Sequence, residues 1–370
     1  MSDLRDRIRL ARTDGVGPVT YRRLLRDRSP AEALYALPEL ARGAGRAAIP
    51  RIPTADEIDR EMGRVHKLGG RMLVLGGPDY PPLLALLGLS PPVLTVLGDV
   101  TALAVRAVAL VGARNASGPG QRMAEALAAE LAGAGLVVVS GLARGIDAAA
   151  HTGAMHMGRT VAAVAGGIDV VYPPEHTKLQ ARIAEHGAIV AEAPLGTAPI
   201  AKHFPRRNRV IAGLSLGVIV IEAALRSGSL ITAQDAQDMD RMLFAVPGSP
   251  LDPRCRGSND LLRQGATLTE TAADVLGVLP DMPGFTTTGL AEFQAGYEPD
   301  ADPGQVRATL LQLIGFSPCP VDDLVRRCQF SPGAIMAGLS DLELSDQIET
   351  LPGNQVSRIA TAADTLLRTQ

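Results

Sequence analysis

Short, wholly apolar runs recur through the middle of the chain: Ala107–Val111, Leu136–Val139, Thr160–Ala165, Ala188–Ala191, Gly217–Ile221 and Met242–Val246. Their spacing approaches the roughly 30-residue period of a βα unit. Stretches of helical periodicity, such as Gln121–Ala132 and Leu230–Met239, fill the gaps. Strands with no polar face must be covered on both sides, so the alternation predicts an α/β fold with a parallel sheet between helical layers. Ligands of such sheets sit beyond the carboxyl ends of the strands.

The pattern changes on either side. Residues 1–70 are Arg-rich with helical spacing, and Gly15-Val16-Gly17-Pro18 separates two amphipathic stretches. This turn resembles a helix-hairpin-helix element, whose loop amides can face a phosphate; a plain interhelical turn explains it equally well. Residues 71–105 read as a connecting region with Val93–Leu97 as an edge strand, grouped with the sheet into a domain over 71–280. Pro, Gly, Thr and acidic residues predict a linker over 281–303. Residues 304–370 then read as helices Val306–Ile314, Val321–Cys328 and Pro332–Leu342, and strands Gln347–Leu351 and Gln355–Ile359 flanking Pro352-Gly353-Asn354. This is a winged-helix pattern, whose third helix reads DNA in nucleic-acid-binding examples. Here Ser331–Leu344 has no Lys or Arg and carries Asp341 and Glu343, so a phosphate groove would repel it. The module is expected to bind protein or to stabilise the chain.

Composition narrows the classes of function. Hydrophobic residues make up 46% and aromatics only 3%, so a large core is built mostly from Ala, Val, Leu and Ile. A net charge of −3 argues against a protein that coats nucleic acid. The charge is uneven, with 14 basic and 10 acidic residues over 1–70, 17 of each over 71–280, and 5 against 12 beyond. The C-terminal segment is therefore a poor DNA clamp. Cys255, Cys319 and Cys328 lack zinc spacing and fit buried thiols in a reducing compartment. No N-terminal signal pattern and no run long enough for a bilayer appears, so the expected location is cytoplasmic, away from membranes.

Four glycine-bearing segments follow predicted strands: Gly112–Ser117, Ser140–Asp147, Gly166–Asp169 and Ser227–Thr232. Each alone could serve a tight strand-to-helix turn. Together at one rim they predict an anion site, because glycine lets amides approach closely and helix N-termini favour negative charge. Arg114 and Arg144 add forked donors for phosphate oxygens. The densest basic run, Lys202-His203-Phe204-Pro205-Arg206-Arg207-Asn208-Arg209, has no acid between Thr197 and Ile221. Basic residues around one aromatic suit single-stranded nucleic acid, with charges along phosphates and the ring against a base. The plainer alternative is a solvated turn with Phe204 in the core. Enzymatic signatures are missing. There is no GxxxxGK[ST], the Gly112 turn is not GxGxxG, and His151 and His156 are five apart, which does not put two ligands on one helical face. Asp147, Asp169 and Glu222 have no evident nucleophile partner; Asp147 is expected to cap a helix or orient an Arg. No metal, cofactor or catalytic residue is expected.

These residues resemble the DNA-processing protein A family, DprA or Smf. The resemblance rests on VGAR at Val111–Arg114, SGLARGID at Ser140–Asp147, His151, GGIDVVYP at Gly166–Pro173, FPRRNRVIAGLS at Phe204–Ser215 and EAALRSGSLITA at Glu222–Ala233. AVPG at Ala245–Gly248, Gly257-Ser258-Asn259 and Gly265-Ala266 complete it. The resemblance implies an extended Rossmann-like domain that binds single-stranded DNA and forms a homodimer, between a SAM-like helical domain and a winged helix. It also implies protection of incoming strands and loading of the RecA recombinase during natural transformation. Carried to matching positions, the candidate DNA- or phosphate-contact residues are Gly112, Arg114, Ser140, Gly141, Arg144, Gly145, Gly166, Gly167, Lys202, Phe204, Arg207, Asn208, Arg209, Ser229 and Thr232. Ala113 replaces a commoner Ser, and His176 a frequent Asn.

Two other readings compete. The LOG or lysine-decarboxylase-like phosphoribohydrolases share this architecture but carry PGGxGTxxE with a catalytic Glu, whereas the comparable turn here, Ser227–Ala233, has none. A protein-interaction scaffold with a small-anion site is the other; a gel shift with a single-stranded oligonucleotide separates it from a DNA binder.

Overall fold

Strands such as VALVG and VIVI expose backbone donors and acceptors that only neighbouring strands can satisfy, and side chains that only helices can cover. The computed structural model describes residues 2–43, 50–279, 302–328, 330–351 and 355–359. It divides into two compact units, residues 1–60 with 286–370, and residues 61–285.

The first unit begins with α1 (Ser2–Ala11), α2 (Pro18–Arg26) and α3 (Pro30–Gly43). Gly15 turns the chain with a left-handed φ of 77°, and Pro18 opens α2 at a position that needs no amide donor. Ile8, Leu10, Tyr21, Leu24 and Leu37 are buried between these helices. α4 (Ala55–Lys67) leads into the second unit's sequence.

That unit runs β1 (Gly70–Val74), α5 (Pro82–Ala85), β2 (Val93–Gly98), β3 (Ala107–Gly112), α6 (Gly118–Gly133), β4 (Val137–Ser140), α7 (Ile146–Met157), β5 (Thr160–Val164), α8 (Thr177–His186) and β6 (Gly187–Ala191). It continues through α9 (His203–Gly213), β7 (Gly217–Ile221), α10 (Gly228–Asp238), β8 (Met242–Ala245), α11 (Arg256–Arg263), β9 (Thr267–Leu268) and α12 (Ala272–Leu276). Sheet order is β1-β2-β6-β5-β4-β3-β7-β8-β9, parallel from β6 to β9. Val108, Leu110, Val138, Ile219 and Phe244 pack with Leu127, Leu131 and Ile146 into one core. The expected mostly parallel, helix-covered sheet is observed.

The edge-strand expectation is corrected. β2 lies between β1 and β6, antiparallel to both, and β1 forms the edge. The five-residue GRMLV run of β1 directly follows a helix and falls at the assumed boundary, so its strand character was not legible.

The first unit is completed by α13 (Pro303–Leu313), β10 (Cys319–Pro320), α14 (Val321–Arg327), α15 (Pro332–Leu344), β11 (Ile348–Leu351) and β12 (Gln355–Arg358). The last two pair antiparallel, and β10 joins β12, giving the expected winged helix. The expected linker lies outside the described residues except for its last two positions, and so does the turn Pro352-Gly353-Asn354. One side of α15 supplies Ile335, Leu339 and Leu342 to the winged-helix core. The other meets α2. Arg23 Nη1 pairs with Asp341 Oδ1 at 2.6 Å and donates to the Ala337 carbonyl at 3.0 Å. Thr20 Oγ1 donates to Glu343 Oε2 at 3.1 Å, and Gly17 leaves space for that carboxylate where a Cβ would collide with it. Acidic groups that a phosphate groove would repel thus serve an intramolecular protein contact. Arg23→Ala should lower stability by about 1 kcal/mol in chemical denaturation, by removing a part-buried ion pair and a carbonyl bond together. Exchanging the charges, Arg23→Asp with Asp341→Arg, should restore part of that loss.

Candidate nucleic-acid interface

A cleft of about 510 Å³, open to solvent, lies at the carboxyl ends of β3, β4 and β5. Its lining combines Arg114, Arg144 and Arg207 with Gly141, Ala143, Gly166, Tyr172, Pro199 and Phe204. Three separate crossovers therefore bring guanidinium groups to one cavity.

The close approach depends on missing side chains. A Cβ on Gly141 would overlap Arg207 Nη1, and one on Gly145 would strike the Ala113 carbonyl. Gly145 also holds a φ of 73°, where L side chains are strained. The loop between β4 and α7 is tied down by Asp147, whose Oδ2 accepts from the amides of Gly141 at 3.1 Å and Ala143 at 3.2 Å. The same oxygen lies 3.7 Å from Arg207 Nη1, an ion pair beyond hydrogen-bond distance. Asp147 is 5% and Arg207 7% exposed. Burial raises the Asp147 pKa against the opposing pull of Arg207, and burial lowers that of Arg207 against the pull of Asp147. Arg207 Nε has no hydrogen-bond partner. A buried guanidinium with unspent donors is costly unless an anion arrives to take them. Arg144 differs: it is exposed and paired with Glu175, itself exposed.

On the other side of β3 the picture reverses. The gap between β3 and β7, where nucleotides bind in many doubly wound sheets, is closed from within. Glu222 accepts from the Ser117 amide at 2.8 Å and from the Ser117 hydroxyl, at the start of α6. Gly120 has no room for a Cβ against that carboxylate. An internal anion thus takes the helix terminus that a pyrophosphate would need.

The chain resembles known proteins along most of its length. A family model described as DNA recombination-mediator protein A matches residues 71–280, a DprA winged-helix model residues 294–354, and a DprA-like N-terminal HHH model residues 2–63. The chain belongs to the DNA recombination-mediator protein A family. Protein Smf of Escherichia coli is 38% identical over 287 residues, covering 75% of this chain and 74% of its own. DNA processing protein DprA of Bacillus subtilis is 38% identical over 227 residues, 61% of this chain and 76% of its own. Among solved structures, DNA processing protein A of Streptococcus pneumoniae superposes with a TM-score of 0.59 at 37% identity, covering 62% of this chain and 80% of that one. The Helicobacter pylori protein, described for its single-stranded DNA binding mode, gives 0.52 at 31%, covering 57% and 95%.

Against this family frame, the expected residues fall into two groups. Arg114, Gly141, Arg144, Gly166, Phe204 and Arg207 line the cleft, and Gly145 shapes its wall. The others do not line it. Gly112 is pressed on the Ile221 carbonyl, and its own carbonyl accepts from Ser229 Oγ at 2.9 Å. Thr232 is buried on α10, and Ser140 donates to the Leu110 carbonyl at 2.6 Å. Gly167 packs against Asp169. The basic run forms the start of a helix, not a turn, so its residues point in different directions. Asn208 donates to the Gly228 carbonyl, and buried Arg209 is drawn to Asp235 and Glu192. Lys202 is exposed just before α9. Tyr172, Val170 and Pro199 line the cleft and were missed; Tyr172 within the VYP motif was the one signal available.

His151 is fully buried beneath this loop, with Nδ1 2.7 Å from Thr160 Oγ1. Burial first, then repulsion from His176 and Arg207, lowers its pKa from 6.5 to about 3. Between those values the unfolded chain binds a proton that the folded one does not, so stability falls as pH drops through this window. Denaturation at pH 7 and 4.5 should show that fall, and His151→Gln should make it shallower. Gly141→Ala should displace Arg207 from beside Asp147 and lower the stability of the fold, read as a fall in Tm.

Proposed function

We propose that this cleft binds single-stranded DNA by its phosphodiester backbone, without reading sequence. Arg207 carries the proposal, as a buried cation lining an open cleft with donors unspent. Arg114 faces the same space, and a strand of nucleic acid supplies anions at the spacing such a groove can follow. Membership of a recombination-mediator family and the single-strand binding described for the Helicobacter pylori relative support this ligand over a free anion. Within that reading the chain protects incoming strands, hands them to the RecA recombinase during transformation, and works as a homodimer through the sheet-bearing unit. It does so as a cytoplasmic binding protein and not as an enzyme; the residues of the cleft supply cations and a paired carboxylate, not a nucleophile with its base.

Fluorescence anisotropy with labelled oligonucleotides tests the proposal. Log affinity should fall with log salt by roughly 0.7 per neutralised phosphate. Arg114→Ala and Arg207→Ala should each weaken binding by roughly tenfold or more on every sequence alike. Arg144→Ala should cost less, since that side chain is exposed and shared with Glu175. Unchanged affinity in both of the first two variants would remove the cleft from consideration.

A further inference from the structure

Phe204 lies on the first turn of α9 with its ring among the cleft residues. The guanidinium carbon of Arg114 is 5.2 Å from the ring centroid, and that of Arg207 is 5.8 Å away. Tyr172 meets the ring at 5.9 Å with an interplanar angle of 65°, edge to face. The ring is thus engaged by two cations and a second aromatic. A guanidinium within about 6 Å of a ring centroid is attracted by the ring's quadrupole. Arg114 and Arg207 repel each other, and that repulsion is among the causes that lower the Arg207 pKa. Something must hold two like charges at one cavity before any anion is present. Asp147 supports Arg207 alone by contact. Phe204 touches both.

We infer that Phe204 is a positioning residue whose ring holds Arg114 and Arg207 together as a clamp for a single backbone phosphate, and that it is not a platform for a base. The inference rests on the cleft being the single-strand site. It makes a choice that the sequence left open, because an aromatic within a basic run suggests stacking first. The preferred ligand atoms are the two non-bridging oxygens of one phosphodiester, each within reach of a forked donor.

The test compares an ordinary oligothymidylate with an abasic strand carrying the same number of phosphates, measured against salt. Phe204→Leu removes the quadrupole but keeps an apolar side chain. It should lose roughly 5- to 10-fold in affinity on both strands alike. Its salt slope should drop by roughly 0.7, one phosphate on a single strand. Phe204→Tyr keeps a π face and should retain both affinity and slope. If Phe204→Leu does not fold, Phe204→Met carries the same comparison. A loss confined to the base-bearing strand, with the slope unchanged, means base stacking and overturns the inference while leaving the cleft intact. No loss on either strand also overturns it. Failure of the unaltered protein to bind either strand is a different result, which overturns the cleft reading and the clamp with it.

Discussion

A guanidinium and a carboxylate buried side by side govern this structure's chemistry. Arg207 and Asp147 are both withdrawn from water, and each is tolerable only because the other is present. Asp147 does more than neutralise. It fastens the loop of Gly141 and Ala143, and that loop, by lacking a side chain at Gly141, leaves the volume in which Arg207 rests. Loop shape and cation placement are therefore one property. The pairing is loose on purpose in a geometric sense: at 3.7 Å the carboxylate steadies the cation without using up its hydrogen-bonding fork.

β3 divides the rim into two different environments. Toward β4 and β5, glycines and arginines leave a concave, electropositive space. Toward β7, the same kind of glycine-rich turn is filled by Glu222, which satisfies the start of α6 from inside. Helix termini at both places favour negative charge. The fold supplies a carboxylate at each, Glu222 at the start of α6 and Asp147 in the first turn of α7, but only beside Asp147 do further cations line an open cleft. The position between β3 and β7 that many doubly wound sheets use for nucleotides is thus filled, and the open cleft lies beside it, toward β4 and β5.

The strands and helices of this region were legible because apolar runs without alternation leave few alternatives to a covered parallel sheet. The convergence of Arg114, Gly141 and Arg144 was legible from the position of glycine turns after strands. The split of the basic run was not. Lys202, Arg207 and Arg209 look equivalent in sequence, but on a helix successive residues turn about 100°. One then faces the cleft, one faces Asp235, and one stays in water. Nor could the sequence place the hydroxyls beside the glycines: Ser229 binds α10 to β3, and Thr232 is buried on α10. β1 was missed because five residues at a boundary carry too little pattern.

The docking of α15 on α2 joins Thr20 to Ser340, 320 positions apart. During synthesis the first three helices leave the ribosome long before their counterpart exists. Until the winged helix is made, Thr20 and Arg23 lack the partners they have in the folded unit. Closure of that unit therefore waits on a segment made some 320 residues after its partner, a delay set by sequence separation and not by the strength of the contact.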